Sequence, residues 1–110
     1  MDPRNLIQSS RDAILMRREL AKEAQRIKDE EGKGDLERQR EMMAFWTEHR
    51  PKMVRRLGPQ ALEDLAVVLT YRMHEAVDAN LEAGMYATDA REQAERDWLL
   101  MEPESPEDQE

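Results

Sequence analysis

The sequence contains no cysteine and only four glycines among its 110 residues. Without cysteine there are no disulfides, no thiolate ligands for zinc and no cysteine nucleophile. The glycines follow predicted helices and do not form a strand-to-helix turn, which excludes the glycine-rich loops that bind nucleotide phosphates. NTPase and dinucleotide-binding functions are therefore not expected.

Long apolar runs are also missing. The fully apolar stretches do not exceed five residues, and a run such as residues 65–69 is too short to cross the roughly 30 Å hydrocarbon core of a bilayer. The first ten residues, MDPRNLIQSS, lack the apolar region of a secretory signal. The sequence therefore predicts a soluble, cytoplasmic protein that does not contact a membrane.

Aromatic residues make up 5% of the chain and charged residues 38%. The core must then come mainly from Leu, Met, Val, Ile and Ala, with five aromatic anchors: Trp46, Trp98, Phe45, Tyr71 and Tyr86. The abundance of strong helix formers, with few β-branched residues, favours helix almost throughout. A single domain is expected at this length, because two separate cores would each be too small.

The pattern of apolar residues divides the chain into four parts. They are an N-terminal arm (residues 1–8), a charged amphipathic helix (9–31), a helical bundle core (35–101) and an acidic tail (102–110). The tail carries two prolines and five carboxylates but no apolar residue, so we predict that it is disordered. The predicted fold is all-α, a small bundle of about four helices with a disordered acidic C-terminal tail.

Residues that start or stop helices place the boundaries inside the core. Asp35 is suited to cap the second helix through its carboxylate. Gly58 is expected to separate a short helical turn from the long helix that follows, and Gly84 to end that helix. Asp89 and Glu92 have the spacing of a capping box at the start of a last helix.

Charge is distributed unevenly along the chain, whose formal net charge is −8. Residues 1–58 contain 14 Lys and Arg against 11 Asp and Glu, a net charge of +3. Residues 59–110 contain 3 against 14, a net charge of −11. This asymmetry disfavours nonspecific nucleic-acid binding by the whole chain but leaves room for a local basic surface.

No catalytic or metal-binding motif is complete. A serine nucleophile with its base is not indicated, since the three serines lie at a predicted helix cap and in the tail, at Ser9, Ser10 and Ser105. His74 and Asp78 lie one helical turn apart, but the second histidine of a zinc-binding helix is absent and His49 is the only other imidazole. We therefore predict a protein that is not an enzyme and that uses no metal or cofactor.

The first helix carries a narrow apolar seam on an otherwise charged surface. Met16, Leu20 and Ile27 form this seam together with alanines at the same helical spacing. A seam of this width suits a contact between two helices, so it is a candidate for self-association or for docking a partner. The alternative is that it packs on its own domain.

A second candidate site is the stretch from Trp46 to Arg56. It holds His49, Arg50, Lys52, Arg55 and Arg56 near a proline that interrupts the helix. Cations grouped in this way suit an acidic protein partner or, less favourably, nucleic-acid phosphates. The alternative is internal, with the cations pairing with the acidic C-terminal helices while Trp46 is buried.

Three segments carry a resemblance to known proteins: WTEHRPKMVRRLG, the EAG that follows the long helix, and DAREQAERDWLLMEPE. Together they resemble small helical proteins encoded by phages, plasmids and transposons, including TnpV-like proteins with a comparable His-Arg-Pro segment. The resemblance covers about residues 43–104 and leaves out the first helix. It implies a helical fold, a mobile-element origin and an accessory or regulatory role, and it assigns no catalytic residues.

The function predicted from these features is a non-enzymatic protein–protein interaction module, accessory or regulatory in role, encoded on a phage or other mobile element. One alternative is a nucleic-acid-associated protein that uses the cations of residues 50–56. The other is an inhibitor whose acidic C-terminal half imitates nucleic acid.

Overall fold

A computed structural model describes residues 13–99 of the protein, with side chains from Leu15 onward. This part of the chain contains four helices and no strand: α1 (Ala13–Glu31), α2 (Leu36–His49), α3 (Pro51–Glu82) and α4 (Ala87–Trp98). The predicted all-α class is confirmed. The predicted arm (1–8), the first residues of the helix predicted over 9–31, and the predicted disordered tail (102–110) lie outside the described residues.

Helix α3 is the central element, because α1, α2 and α4 all pack against it. Its middle is buried around most of its circumference, which explains why residues 65–69 are apolar without interruption. All four helices and the residue after α4 contribute to one core, whose largest members include Met16, Leu20, Ile27, Met42, Trp46, Met53, Leu57, Leu65, Leu69, Met73 and Leu99.

Helices α2 and α4 both run antiparallel to α3. At one end of the bundle, the Asp35 carboxylate before α2 lies 3.4 Å from Nε2 of His74 in α3. The Nδ2 group of Asn80, also in α3, donates to the carbonyl of Ala90 in α4 over 3.1 Å. Because α2 ends directly before α3 begins and α4 follows it after a short turn, both helices return along its length.

Two of the predicted helix boundaries are confirmed by their hydrogen bonds. The Asp35 side chain accepts from the amide of Arg38 at 3.0 Å, as expected for the cap of α2. After α3, Gly84 has a φ of 98°, and its amide donates to the carbonyl of Leu81 at 3.0 Å. This positive φ closes the helix end at little cost only in glycine.

The predicted capping box of the last helix is wrong. Helix α4 begins at Ala87, and the residue before it, Tyr86, has an extended backbone and makes no side-chain capping bond. Asp89 consequently lies inside the first turn, where its negative charge still interacts favourably with the helix dipole.

The predicted separation of a short helical turn from the long helix at Gly58 is confirmed. Gly58 has non-helical torsion angles (φ 81°, ψ 167°), and the kink at this residue joins the two helical segments that we describe together as α3. Pro59 follows the bend, where its missing amide removes no helical hydrogen bond. A second break lies at Arg50, between α2 and α3 (φ −135°, ψ 57°).

Candidate partner-binding surface

Residues 49–58 form a corner of the molecule between the end of α2 and the bend at Gly58. We refer to its five cationic or titratable side chains as the basic corner: His49, Arg50, Lys52, Arg55 and Arg56. These are the residues of the predicted site that follow Trp46, and the structure places them in this one short segment.

The corner is fixed to the core by two apolar side chains on its inner face. Met53 and Leu57 lie one helical turn apart, and each is only 1% exposed. The helical period places Arg55 opposite this inner face and Lys52 and Arg56 to one side of it. Arg55 and Arg56 are exposed, and Lys52 is half-buried. The two arginines thus project to solvent from a backbone that the core holds in place.

Helix α2 supplies the other edge of the corner. The His49 ring packs against the Phe45 ring, with 4.4 Å between centroids and 47° between planes. The Arg50 amide then donates to the carbonyl of Trp46 at 2.6 Å and so completes the last turn of the helix. His49 and Arg50 are both half-buried, so they form the base of the corner while Arg55 and Arg56 form its outer surface.

The corner also differs from the rest of the chain in its charge pattern. Residues 49–62 include no Asp or Glu, and this is the longest stretch of the sequence without a carboxylate. Among residues 13–99, no carboxylate oxygen lies within ion-pair distance of Arg55 or Arg56. The absence of carboxylates between Glu48 and Glu63 can be read from the sequence, and it is the sequence feature that indicates unpaired charge at Arg55 and Arg56.

One carboxylate of the acidic helix α4 forms an ion pair with α2 and not with the basic corner. Glu95 pairs with Arg38 of α2 through an oxygen to Nη2 distance of 2.6 Å. For Arg55 and Arg56, the internal pairing that the sequence left open is therefore not found in the part of the chain that the structure describes. Their positive charge remains on the surface.

Four of the predicted partner-binding residues do not lie on an accessible surface. Met16, Leu20 and Ile27 are only 2–3% exposed, because the seam of α1 packs against α3. Trp46 is 0% exposed, and its indole Nε1 donates to the carbonyl of Leu99 at 2.9 Å. These residues belong to the core of the chain itself, so the candidate surface has to be redrawn without them.

The outer face of α1 is charged, and several of its charges are paired with one another. Arg26 contacts Glu23 at 2.6 Å and Glu30 at 2.9 Å, and Arg72 of α3 contacts Glu23 at 3.3 Å. The hydrogen bond from Arg26 holds the pKa of Glu23 below its usual value, against the opposing effect of burial. This cluster joins α1 to α3, and its charges are paired with one another, unlike those of Arg55 and Arg56 within residues 13–99.

The structure also shows what becomes of the incomplete metal motif. The His74 imidazole of α3 faces Asp35, the capping residue of α2, 3.4 Å away, as an ordinary surface pair. Within residues 13–99, no three His, Asp or Glu side chains are grouped as ligands for one metal ion.

Exposed apolar side chains lie mainly away from the basic corner. Tyr86, predicted as a core anchor, is 82% exposed at the turn before α4, and Leu81 nearby is 43% exposed. That prediction was wrong because a residue in this short turn has no element packed over it. Helices long and apolar enough to cross a lipid bilayer are not found among the described residues.

Comparison of the chain with protein-family models, curated proteins and solved structures returned no significant match. The similarity to TnpV-like proteins of mobile elements therefore stays a prediction from the sequence. The candidate surface is defined by its own geometry and charge.

Proposed function

We propose that this protein is a non-enzymatic interaction module that binds an acidic segment of a partner protein through the basic corner. The observation that carries the proposal is the state of Arg55 and Arg56. Both are exposed, both lack a carboxylate neighbour among residues 13–99, and both stand on a helical turn that Met53 and Leu57 fix to the core.

The local electrostatics of the corner support a ligand of negative charge. Helix α3 has no acidic residue in its first turn but carries Lys52 there. Cations near the start of a helix oppose its dipole and cost about 0.3–1 kcal/mol each at the surface. Arg55 and Arg56 follow on the same helix and suit a carboxylate ligand, because arginine binds carboxylates through two parallel hydrogen bonds.

A protein partner is favoured over nucleic acid by the charge of the remaining chain. Residues 59–110 carry a net charge of −11, and they belong to the same small molecule as the corner. A polyanion brought to the corner would be repelled by this charge, whereas a short acidic segment would contact the cations alone. Four cations also provide few phosphate contacts compared with the roughly 6–10 of strongly salt-dependent DNA-binding proteins.

We further propose an accessory or regulatory role in the cytoplasm, for a protein encoded on a phage or other mobile element. The support is the resemblance of residues 43–104 to small helical mobile-element proteins. A small bundle with one charged contact surface suits a subunit that modulates a larger partner.

The test is affinity purification of the tagged protein from its native host after nuclease treatment. A double variant, R55E/R56E, reverses the charge of the corner. R91E/R96E is the matched control, because it changes charge by the same amount at two exposed arginines of α4. Substitutions at such surface sites are expected to change stability by no more than about 0.5 kcal/mol each.

We expect one dominant protein to be recovered with the parent and with R91E/R96E but not with R55E/R56E. Equal recovery with all three would show that the basic corner is not the contact surface. Recovery that disappears on nuclease treatment would show that the partner is bound through nucleic acid.

A further inference from the structure

We propose that Arg55 and Arg56 of one molecule bind the acidic turn between α3 and α4 of a second copy of this protein. The inference rests on the proposed function in taking the basic corner as a surface for carboxylates, and it names a partner that presents them. We refer to the second surface as the tyrosine turn. Its members are Asp78, Leu81 and Glu82 at the end of α3, and Tyr86 and Asp89 at the start of α4.

The backbone of the tyrosine turn is held by two hydrogen bonds. The amide of Gly84 donates to the carbonyl of Leu81 at 3.0 Å, and the amide of Met85 donates to the carbonyl of Asn80 at 3.1 Å. This pair of bonds is typical of a helix that ends at a glycine with positive φ. Tyr86 therefore follows the last turn of α3 on a defined backbone.

The side chains of the turn combine an exposed aromatic ring with carboxylates. Tyr86 is 82% exposed and Leu81 is 43% exposed. Asp78 and Glu82 lie one helical turn apart on the same face as Leu81, and both are exposed. A guanidinium group pairs with carboxylates and also stacks on aromatic faces. The turn is therefore suited to an arginine ligand.

The charges of the tyrosine turn have no partner in the described structure. Residues 73–90 form the longest stretch of the sequence without Lys or Arg, and they contain four carboxylates. Among residues 13–99, no cationic nitrogen lies within ion-pair distance of Asp78, Glu82 or Asp89. The turn therefore presents unpaired negative charge.

The basic corner presents the opposite pattern. Its Arg55 and Arg56 are exposed and have no carboxylate within ion-pair distance among residues 13–99. They belong to residues 49–62, the longest stretch of the sequence without Asp or Glu. Each surface thus carries the charge that the other lacks, and Tyr86 offers its ring to one of the two arginines.

The two surfaces are too far apart to meet within one molecule. From Pro59 to Glu82, α3 rises about 36 Å at about 1.5 Å per residue, which no pair of side chains can span. The contact therefore requires a second copy. Because the two surfaces differ, the contact is heterologous, and each pair of molecules retains one free corner and one free turn unless a ring closes.

The contact is expected to be weak and reversible. It involves few side chains, and exposed ion pairs stabilise a contact only slightly. Near 0.15 M salt the Debye length is about 8 Å, so the charges at the contact outweigh the net charge of −8 distributed over each molecule.

The test is sedimentation equilibrium of the full chain at concentrations up to about 1 mM, at which a contact with a dissociation constant of about 1 mM is substantially formed. We expect the average mass to rise with concentration above the 12.9 kDa of one chain. R55E/R56E and D78K/E82K should each remain at the mass of one chain, because each variant brings like charges together. Tyr86→Ser should lower the association constant severalfold.

Matched controls change the same amount of charge at other exposed sites. R91E/R96E is the control for the corner, and both arginines are exposed on α4. E19K/E41K is the control for the turn, since both carboxylate side chains are more than half exposed, on α1 and α2. Both controls should still associate. If they lose association to the same extent as the test variants, the contact depends on overall charge and the inference is wrong.

The decisive measurement is an equimolar mixture of R55E/R56E and D78K/E82K. Association should return in the mixture, because the reversed corner of one variant matches the reversed turn of the other. This recovery would also show that both variants are folded. A mixture that stays at the mass of one chain, while the parent associates, would place the contact elsewhere and overturn the inference.

Failure of the inference is distinguishable from failure of the proposed function. A parent chain that stays monomeric at about 1 mM would refute the inference, whereas recovery of another protein from the host does not depend on self-association. Association that both charge reversals abolish, with no other protein recovered from the host, would support the inference and refute the proposed partner.

Discussion

The hydrogen bond between the Trp46 indole and the Leu99 carbonyl joins the last turn of α2 to the end of α4. We predict that Trp46→Phe destabilises the protein strongly even though an aromatic ring is retained. Trp46 and Leu99 are both 0% exposed, so water does not replace the lost donor at the Leu99 carbonyl.

The size of the effect follows from two contributions. Leaving a buried carbonyl without its donor costs about 1–3 kcal/mol. The smaller ring leaves a void in the core, and lost burial and packing together cost about 1–2 kcal/mol more. The expected loss is about 2–5 kcal/mol, a large part of the 5–15 kcal/mol that is typical of a small domain.

The assay is urea unfolding followed by far-ultraviolet circular dichroism. With an m-value of about 2 kcal/mol per molar, the unfolding midpoint should fall by about 1–2.5 M. Tyr86→Phe is the matched control, because it removes a polar group from an aromatic side chain that is 82% exposed. Its midpoint should differ little from that of the parent. If the two variants unfold at the same midpoint, Trp46 does not hold the end of α4 in the way described.

Three further substitutions test other parts of the fold. Gly58→Ala should cost about 1–3 kcal/mol, measured by thermal melting, because φ 81° and ψ 167° strain any other residue although no atom lies near the added Cβ. Asp35→Ala should cost about 0.5–2 kcal/mol through loss of its cap on α2, whereas Asp35→Asn should retain most of the stability. Arg26 and Arg72 favour the charged form of Glu23 and so lower its pKa in the folded state. The contribution of Glu23 to folding stability is therefore present above the unfolded pKa of about 4.5 and is lost as the pH falls through the folded pKa. Glu23→Gln should therefore cost up to about 1 kcal/mol near pH 7 and progressively less below about pH 4.5, and an equal cost at both pH values would contradict the pairing.

The parts of the fold that sequence reasoning predicts well depend on local interactions. The apolar run of residues 65–69 indicates a central helix because it exceeds what one buried face requires. Asp35 and Gly84 act within one turn of their own positions, so residue type and spacing suffice to assign them as a cap and a stop. The all-α class follows from the same local preferences.

The features that sequence reasoning did not predict depend on which helices pack against one another in the bundle. A seam such as that of Met16 and Leu20 has the same spacing whether α3 or another molecule covers it, and its burial is a property of tertiary packing. Trp46 precedes the cations in the sequence, but it is buried, and its hydrogen bond to the Leu99 carbonyl joins residues 53 positions apart. The exposure of Arg55 and Arg56 without carboxylate neighbours likewise required the arrangement of α4, whose Glu95 pairs with Arg38.

The central claim is that the basic corner serves a protein contact and not a phosphate backbone. The most direct measurement is the binding of duplex and single-stranded DNA as a function of salt, with R55A/R56A beside the parent. We predict no measurable affinity near 150 mM salt for either form, because the net charge of −11 over residues 59–110 repels a polyanion from the same small bundle. Affinity at that salt concentration that disappears in R55A/R56A, with the slope of log K against log salt reduced by up to about 2, would contradict the claim and identify the corner as a phosphate-binding site.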